Sequence, residues 1–320
     1  MVSSLVNVTS AVLAAPALRG TSVAVHPNRI LVVIELSGGN DGLNTVVPFG
    51  DSAYYRARPA LAIRERDLIK VTDGFGFHPS MVGFERLYKD GMLAVVHGCG
   101  YDHPSLSHFS SMSYWHTGVP NGGEPLGWLG RVADQAYPAG ARNVIVNVGT
   151  SQSLAVRSRL HSPLVFDDPA RFRREGTDEE KRVLGEMSRT RPATTNPTLD
   201  FLASMAHNAA ESSDFVRQAS AAYQTPVDYG SGGGLAANLQ RVAALIAAKM
   251  PTRVYYVTYQ GNAFDTHVQQ ADLHSRLLMY TADAVRGLME DMKGIGSAND
   301  AMAMCVTKSG PSVKSNGSLC

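Results

Sequence analysis

Residues 30–36, ILVVIEL, form an almost unbroken aliphatic run that stops abruptly at SGGNDGLNT. A strand with one wet face alternates apolar and polar residues. A continuous run instead asks for apolar cover on both faces, the situation of a strand inside a parallel sheet. Similar short runs recur at 92–97 (MLAVVH), 143–148 (NVIVNV), 253–259 (RVYYVTY) and 301–306 (AMAMCV). Between them, segments 80–90, 198–223, 235–250 and 269–293 carry helical spacing. Leu273, Leu277, Tyr280, Ala284 and Leu288 keep one face of the last of these apolar. Strands alternating with helices predict an α/β fold, a mostly parallel sheet with helices on both faces.

The rest of the chain bounds what such a fold does. With 320 residues and 44% hydrophobic content it can build a large core. A net charge of +1 gives nucleic acid no electrostatic footprint to recognise. Cys99, Cys305 and Cys320 form neither a paired framework nor a CxxC zinc motif. No apolar run reaches the length of a membrane span. Residues 1–29 read as a leader, with the apolar middle of an export signal but no basic residue before Arg19. Residues 30–320 read as one domain. An exposed, charged and proline-punctuated excursion covers 167–197, with a short helix around 178–188.

In open α/β sheets, ligands bind beyond the carboxyl ends of the strands, so the loops there are the candidates. The first, residues 37–45, brings Asn40 and Asp41. It is no phosphate loop, and Asn40-Asp41-Gly42 reads equally as a tight turn whose Asp caps its own backbone. The second, HGCGYDHPSLSHFSSMSYWHTG, packs His97, His103, His108, His116 and five serines into 22 residues. A serine hydroxyl beside metal-held cations is a potential nucleophile; histidines among Tyr and Trp are also ordinary hydrogen-bonded structural residues. The third, QGNAFDTHVQQ, sets Asp265 and His267 one residue apart, a spacing that can chelate a divalent ion. Together the loops describe an oxygen and nitrogen site for a divalent metal: Zn, Mg, Mn or Ca. Arg56, Arg58 and Arg131 could contact an anionic substrate, but surface arginines are common and these are given no role.

Four ordered motifs, VVIELSGGNDGLNTVVP, FHPSM, GMLAVVHGCGYDHPSLSHFSSMSYWHTG and FDTHVQQ, resemble the domain-of-unknown-function 1501 family. The resemblance runs from about residue 30 to 293. These are bacterial, usually exported proteins related to the alkaline phosphatase and sulfatase superfamily. The resemblance implies an alkaline phosphatase-like sheet with a two-metal site at its carboxyl edge. Asp41 would be a metal ligand, and Asp265 and His267 would hold the other ion. Ser107 would be the nucleophile, with Ser105 its competitor and Asn40, His103 and His108 in support. The family's Ser-Glu-Phe-Gly-Arg stretch is replaced here by Thr307-Lys308-Ser309-Gly310-Pro311. Asn316-Gly317-Ser318 agrees, but the Asp-His pair expected afterwards does not follow before Cys320. The expectation is therefore a clipped relative of metal-dependent phosphate or sulfate ester hydrolases, exported or periplasmic, its substrate a small anionic ester or glycan. The alternatives are a non-catalytic exported protein binding a sugar or sulfated glycan, or an inactive fragment.

Overall fold

The computed structural model describes residues 28–105, 107–173, 177–189, 197–259, 261–266 and 269–308. The leader, all but its last two residues, lies outside them, and so do His267 and the Asn316-Gly317-Ser318 stretch. In chain order the elements begin with β1 (Ile30–Glu35), α1 (Gly42–Thr45), β2 (Val46–Val47), α2 (Ser52–Ala57), β3 (Ile69–Lys70), β4 (Gly76–Phe77) and α3 (Val82–Lys89). Then come α4 (His108–Thr117), α5 (Trp128–Ala136), β5 (Ile145–Val148), β6 (Leu164–Phe166) and α6 (Asp178–Arg189). The last are α7 (Pro197–Ala222), α8 (Gly233–Ala247), β7 (Val254–Thr258), α9 (Gln270–Ile295) and β8 (Ala301–Val306).

Five strands form one parallel sheet in the order β6-β5-β7-β1-β8, and β2-β4-β3 form a small antiparallel one. β1 is paired on both sides: Val32 faces Tyr255 of β7 and Ala303 of β8. Its side chains alternate between two cores, which explains the unbroken aliphatic run. Val32 and Ile34 join the cluster under α8, α9 and α3, while Val33 joins Leu129 and Ala133 of α5 on the opposite face. The α/β reading of the sequence is what the chain adopts.

One expected strand differs. Residues 92–97 run without strand pairing among the described residues, and the sheet ends at β8. Met92, Leu93 and Val95 still pack against the larger core, whereas Val96 is exposed. Alternating apolar residues specify a face to bury, but they do not supply a ladder partner. In the excursion, α6 falls where a short helix was expected, but residues 167–173 are anchored: the Phe172 carbonyl accepts from Ser213 and Arg217 of α7.

Helix α3 closes on α9 through a glycine. A Cβ at Gly83 would stand 2.4 Å from the Ala282 carbonyl oxygen, inside any allowed contact and against backbone that cannot swing away. Gly83→Ala is expected to lower stability by about 1–3 kcal/mol, as overpacking at a close helix contact does. Urea denaturation of the two proteins checks this, and an unchanged midpoint would mean that α3 is not held against α9.

Candidate functional site

The loops that follow β1, β7 and β8 converge. Leu36 N donates to Val306 O at 2.8 Å, Tyr259 N to Glu35 O at 3.0 Å and Phe264 N to Ser37 O at 2.9 Å. The Thr307 hydroxyl donates to Leu36 O and accepts from Asn40 N at 2.9 Å, tying the end of β8 to the first loop. Gly38 makes the approach possible. Its φ of 109° suits only glycine, and a Cβ there would lie 2.5 Å from Asp265 N and 2.7 Å from Asn262 O. Asp41 and Asp265 thus belong to two loops in direct contact, with Lys308 on a third.

Asp41 is buried and accepts three hydrogen bonds. Oδ2 accepts from Arg58 Nη1 at 2.5 Å and from Gln270 Nε2 at 2.5 Å. Oδ1 accepts from Asn44 N at 3.3 Å, making Asp41 the N-cap of α1, so the self-capping reading of the turn holds in this geometry. Arg58 is only 2% exposed, far from the surface arginine its sequence context suggests. Its Nη1 also reaches Asn44 Oδ1, which accepts from the Tyr54 hydroxyl at 2.9 Å. On the other side, Asn40 Oδ1 meets His274 Nε2 at 2.7 Å, and the His274 and His78 rings stand edge to face at 6.0 Å. Burial pushes both imidazoles down to about 4, against the pull of the Asp41 charge, so both are neutral at pH 7.

Asp265 is half-buried, and Lys308 is buried within its field. Burial lowers the Lys308 ammonium and Asp265 pulls it back up. Each carboxylate expected to ligate metal therefore lies beside a cation of the chain itself. A carboxylate has about four acceptor positions, and at Asp41 three are filled from within the protein. A divalent ion on Asp41 Oδ2 would have to displace Arg58 or Gln270. Among the described residues, no three His, Cys, Asp or Glu side chains gather closely enough to hold a metal ion.

The two serines make their hydrogen bonds within their own loop and the first turn of α4. Ser107 is the exposed N-cap of α4, its Oγ accepting from Ser110 N at 3.4 Å. Ser105 Oγ accepts from Ser107 N, and Ser105 N donates to the Tyr101 hydroxyl. His103 is exposed in a left-handed backbone conformation, and His108 is half-buried at the first position of α4. The helix meets β1 at its other end, where His116 Nε2 lies 2.8 Å from Glu35 Oε2. At 1.5 Å per residue, that junction is about 13 Å along the helix from Ser107. Burial pushes the Glu35 carboxyl up, but hydrogen bonds from His116, Ser37 and Tyr256, with the His116 charge, outweigh it and hold the group below its usual range.

The profile of the family described as "Protein of unknown function (DUF1501)" matches residues 28–318. The chain belongs to the DUF1501 family. No curated protein and no solved structure matches it. Against this background the residues that the sequence left without a role acquire one. Gln270 closes the FDTHVQQ motif and His274 lies one helical turn further on, so both were reachable by extending that motif along α9. His78 sits in FHPSM. Arg58 gave no such signal, because nothing in its neighbourhood distinguishes a buried arginine from an exposed one.

Two outcomes follow from the buried cluster. Arg58→Met leaves the Asp41 charge unpaired and should cost about 3–5 kcal/mol, most of it restored in the Asp41→Asn, Arg58→Met double variant. Urea denaturation of all four members of the cycle measures this, and additive losses would contradict it. The depressed histidines set a pH window. Above the unfolded value of about 6.5 they contribute no slope, since both states are neutral there. As pH falls from about 6.5 toward about 4, only the unfolded chain gains protons, and stability should drop with a slope approaching about 1.4 kcal/mol per pH unit for each histidine. His274→Gln, measured at the same pH values, should show a shallower decline; an identical slope would remove His274 from the account.

Proposed function

We propose that this chain is a ligand-binding member of its family, which takes a sugar or sulfated glycan at the carboxyl edge of the sheet without hydrolysing it. The observation that carries this reading is the state of Asp41: buried, neutralised by Arg58 and held by Gln270. A hydrolytic site needs its charged groups open toward the ester, whereas here they face one another. Supporting it, α4 presents Phe109 at 87% exposure beside the serine and histidine loop. A bare aromatic ring next to polar side chains suits a sugar face. Behind it, Tyr101 packs edge-on against Tyr114 and Trp115, and its hydroxyl donates to Ser111 Oγ, fixing the loop on the helix. An exported location, in keeping with the resemblance, would put the protein where such glycans are met.

A second reading has its own observation in favour. The loops of Asp41, Asp265 and Lys308 do converge at one sheet edge, as metal-dependent cleavage of a phosphate or sulfate ester by an alkaline phosphatase-like fold would need. In that reading Asp265 and His267 would hold an ion, and Ser107 or Ser105 would attack. It requires Arg58 and Gln270 to release Asp41.

Assay of the chain on 4-nitrophenyl phosphate and 4-nitrophenyl sulfate, with Mg²⁺, Mn²⁺, Zn²⁺ or Ca²⁺ supplied, separates the two. The binding reading expects no turnover above the Ser107→Ala variant. It also expects heparin-oligosaccharide binding that persists in chelator and weakens in Phe109→Ala. Metal-dependent turnover that is lost in Ser107→Ala would establish the hydrolase instead.

A further inference from the structure

A cleft of about 680 Å³ opens between the C-terminal part of α7, the outer side of α8 and residues 168–170 after β6. Its size lies within the range of small-molecule sites. The polar groups on its walls are not used by the cluster at the carboxyl end of β1.

Two of them are arginines, and they differ in how they are balanced. Arg217 is paired with Asp214 of its own helix and donates to the Phe172 carbonyl. Arg241 is held by two neutral acceptors, Asp167 O and Asn238 Oδ1, both 2.6 Å from its Nη1. Both bonds use the same nitrogen, so the rest of the guanidinium fork keeps its donors for another group. The one acid on the wall, Asp168, already has a cation, since Arg171 Nε lies 3.3 Å from it. Ser220 Oγ is buried at the cleft with no hydrogen-bond partner among the described residues. A buried hydroxyl without a partner is costly, and rotation of the Ser220 side chain toward the cleft would let a ligand hydroxyl satisfy it. Gln240 is exposed on the wall and offers both a donor and an acceptor.

We propose that this cleft binds a small hydroxylated organic anion, of the size and chemistry of an acidic sugar. Its oxyanion would sit on the guanidinium of Arg241 and its hydroxyls on Gln240 and Ser220. An arginine without a carboxylate partner selects for an oxyanion, because the planar fork donates two parallel hydrogen bonds to it. A neutral sugar would leave that charge unanswered, and a bare inorganic anion would leave the hydroxyl and amide unused. The proposal does not depend on the reading of the carboxyl edge, since it draws on different elements and different residues.

Calorimetric titration of the full chain with glucuronate, glucose 6-phosphate, glucose and inorganic phosphate tests it. At least one of the charged sugars is expected to bind, and which one does distinguishes a carboxylate ligand from a phosphate ligand. Glucose and inorganic phosphate should each bind about tenfold more weakly or worse. Gln240→Glu puts a negative charge on the wall at an exposed position, so the fold is kept, and it should weaken the charged sugar by at least about tenfold. Arg241→Gln should do the same, with its thermal midpoint recorded to separate lost binding from lost structure. Phe109→Ala should leave this affinity unchanged. The proposal is overturned if neither charged sugar binds, or if Gln240→Glu binds as well as the parent chain. Loss of binding in Phe109→Ala would move the ligand to the other site, and inorganic phosphate binding as tightly as the sugar phosphate would defeat the sugar assignment.

Discussion

The double pairing of β1 fixes everything else in this molecule. Its ladder with β7 on one side and β8 on the other joins it to two segments that lie more than two hundred residues further along the chain. Because side chains alternate along the strand, its five apolar residues also anchor two cores, one toward α8 and α9 and one toward α5. Wherever β1 ends, its loop must therefore meet the loops of β7 and β8. The Thr307 hydroxyl, which both donates to Leu36 and accepts from Asn40, is the local expression of that constraint.

The chemistry at that meeting point is governed by charge balance under burial. Ionised carboxylates leave water only with a partner, and Asp41 finds one in Arg58. Arg58 in turn needs acceptors, and Asn44 with Tyr54 completes the ring. The neutral histidines beyond Asn40 are the other half of the same solution: in a pocket that already holds one balanced ion pair, an imidazole is more stable uncharged. The result is a dense polar knot with little reach toward solvent. That knot is the ground on which binding is proposed here in preference to a reaction that needs a displaced proton or an open coordination position.

Much of this frame was legible in the amino-acid order. ILVVIEL announced a strand covered on both faces, and four of the five apolar runs became strands of one parallel sheet. The convergence of the first and third loops also followed from the general geometry of such sheets. What sequence could not settle was partnership. Residues 92–97 have the pattern of a strand but no ladder partner among the described residues. Asp41 has the position of a ligand, yet its neighbour is an arginine seventeen residues away whose burial has no local signature. Ser107 was placed by its spacing within a motif; it caps the start of α4, while the contact of that helix with β1 is made near its other end. The histidine at the receiving end is His116, whose partner Glu35 was hidden inside the apolar run itself.

The parallel order β7-β1-β8 also has a history in time. Strand β1 is among the first parts of the described chain to be made, and both strands that flank it are among the last. A ribosome adding on the order of ten residues each second holds β1 with two bare edges for many seconds before either neighbour emerges. During that interval the most aliphatic segment of the protein is a template for any other strand that drifts past. Its safe passage falls to the helices made in between, so the completion of this sheet is decided late and over long distances, by the arrival of β7 and β8.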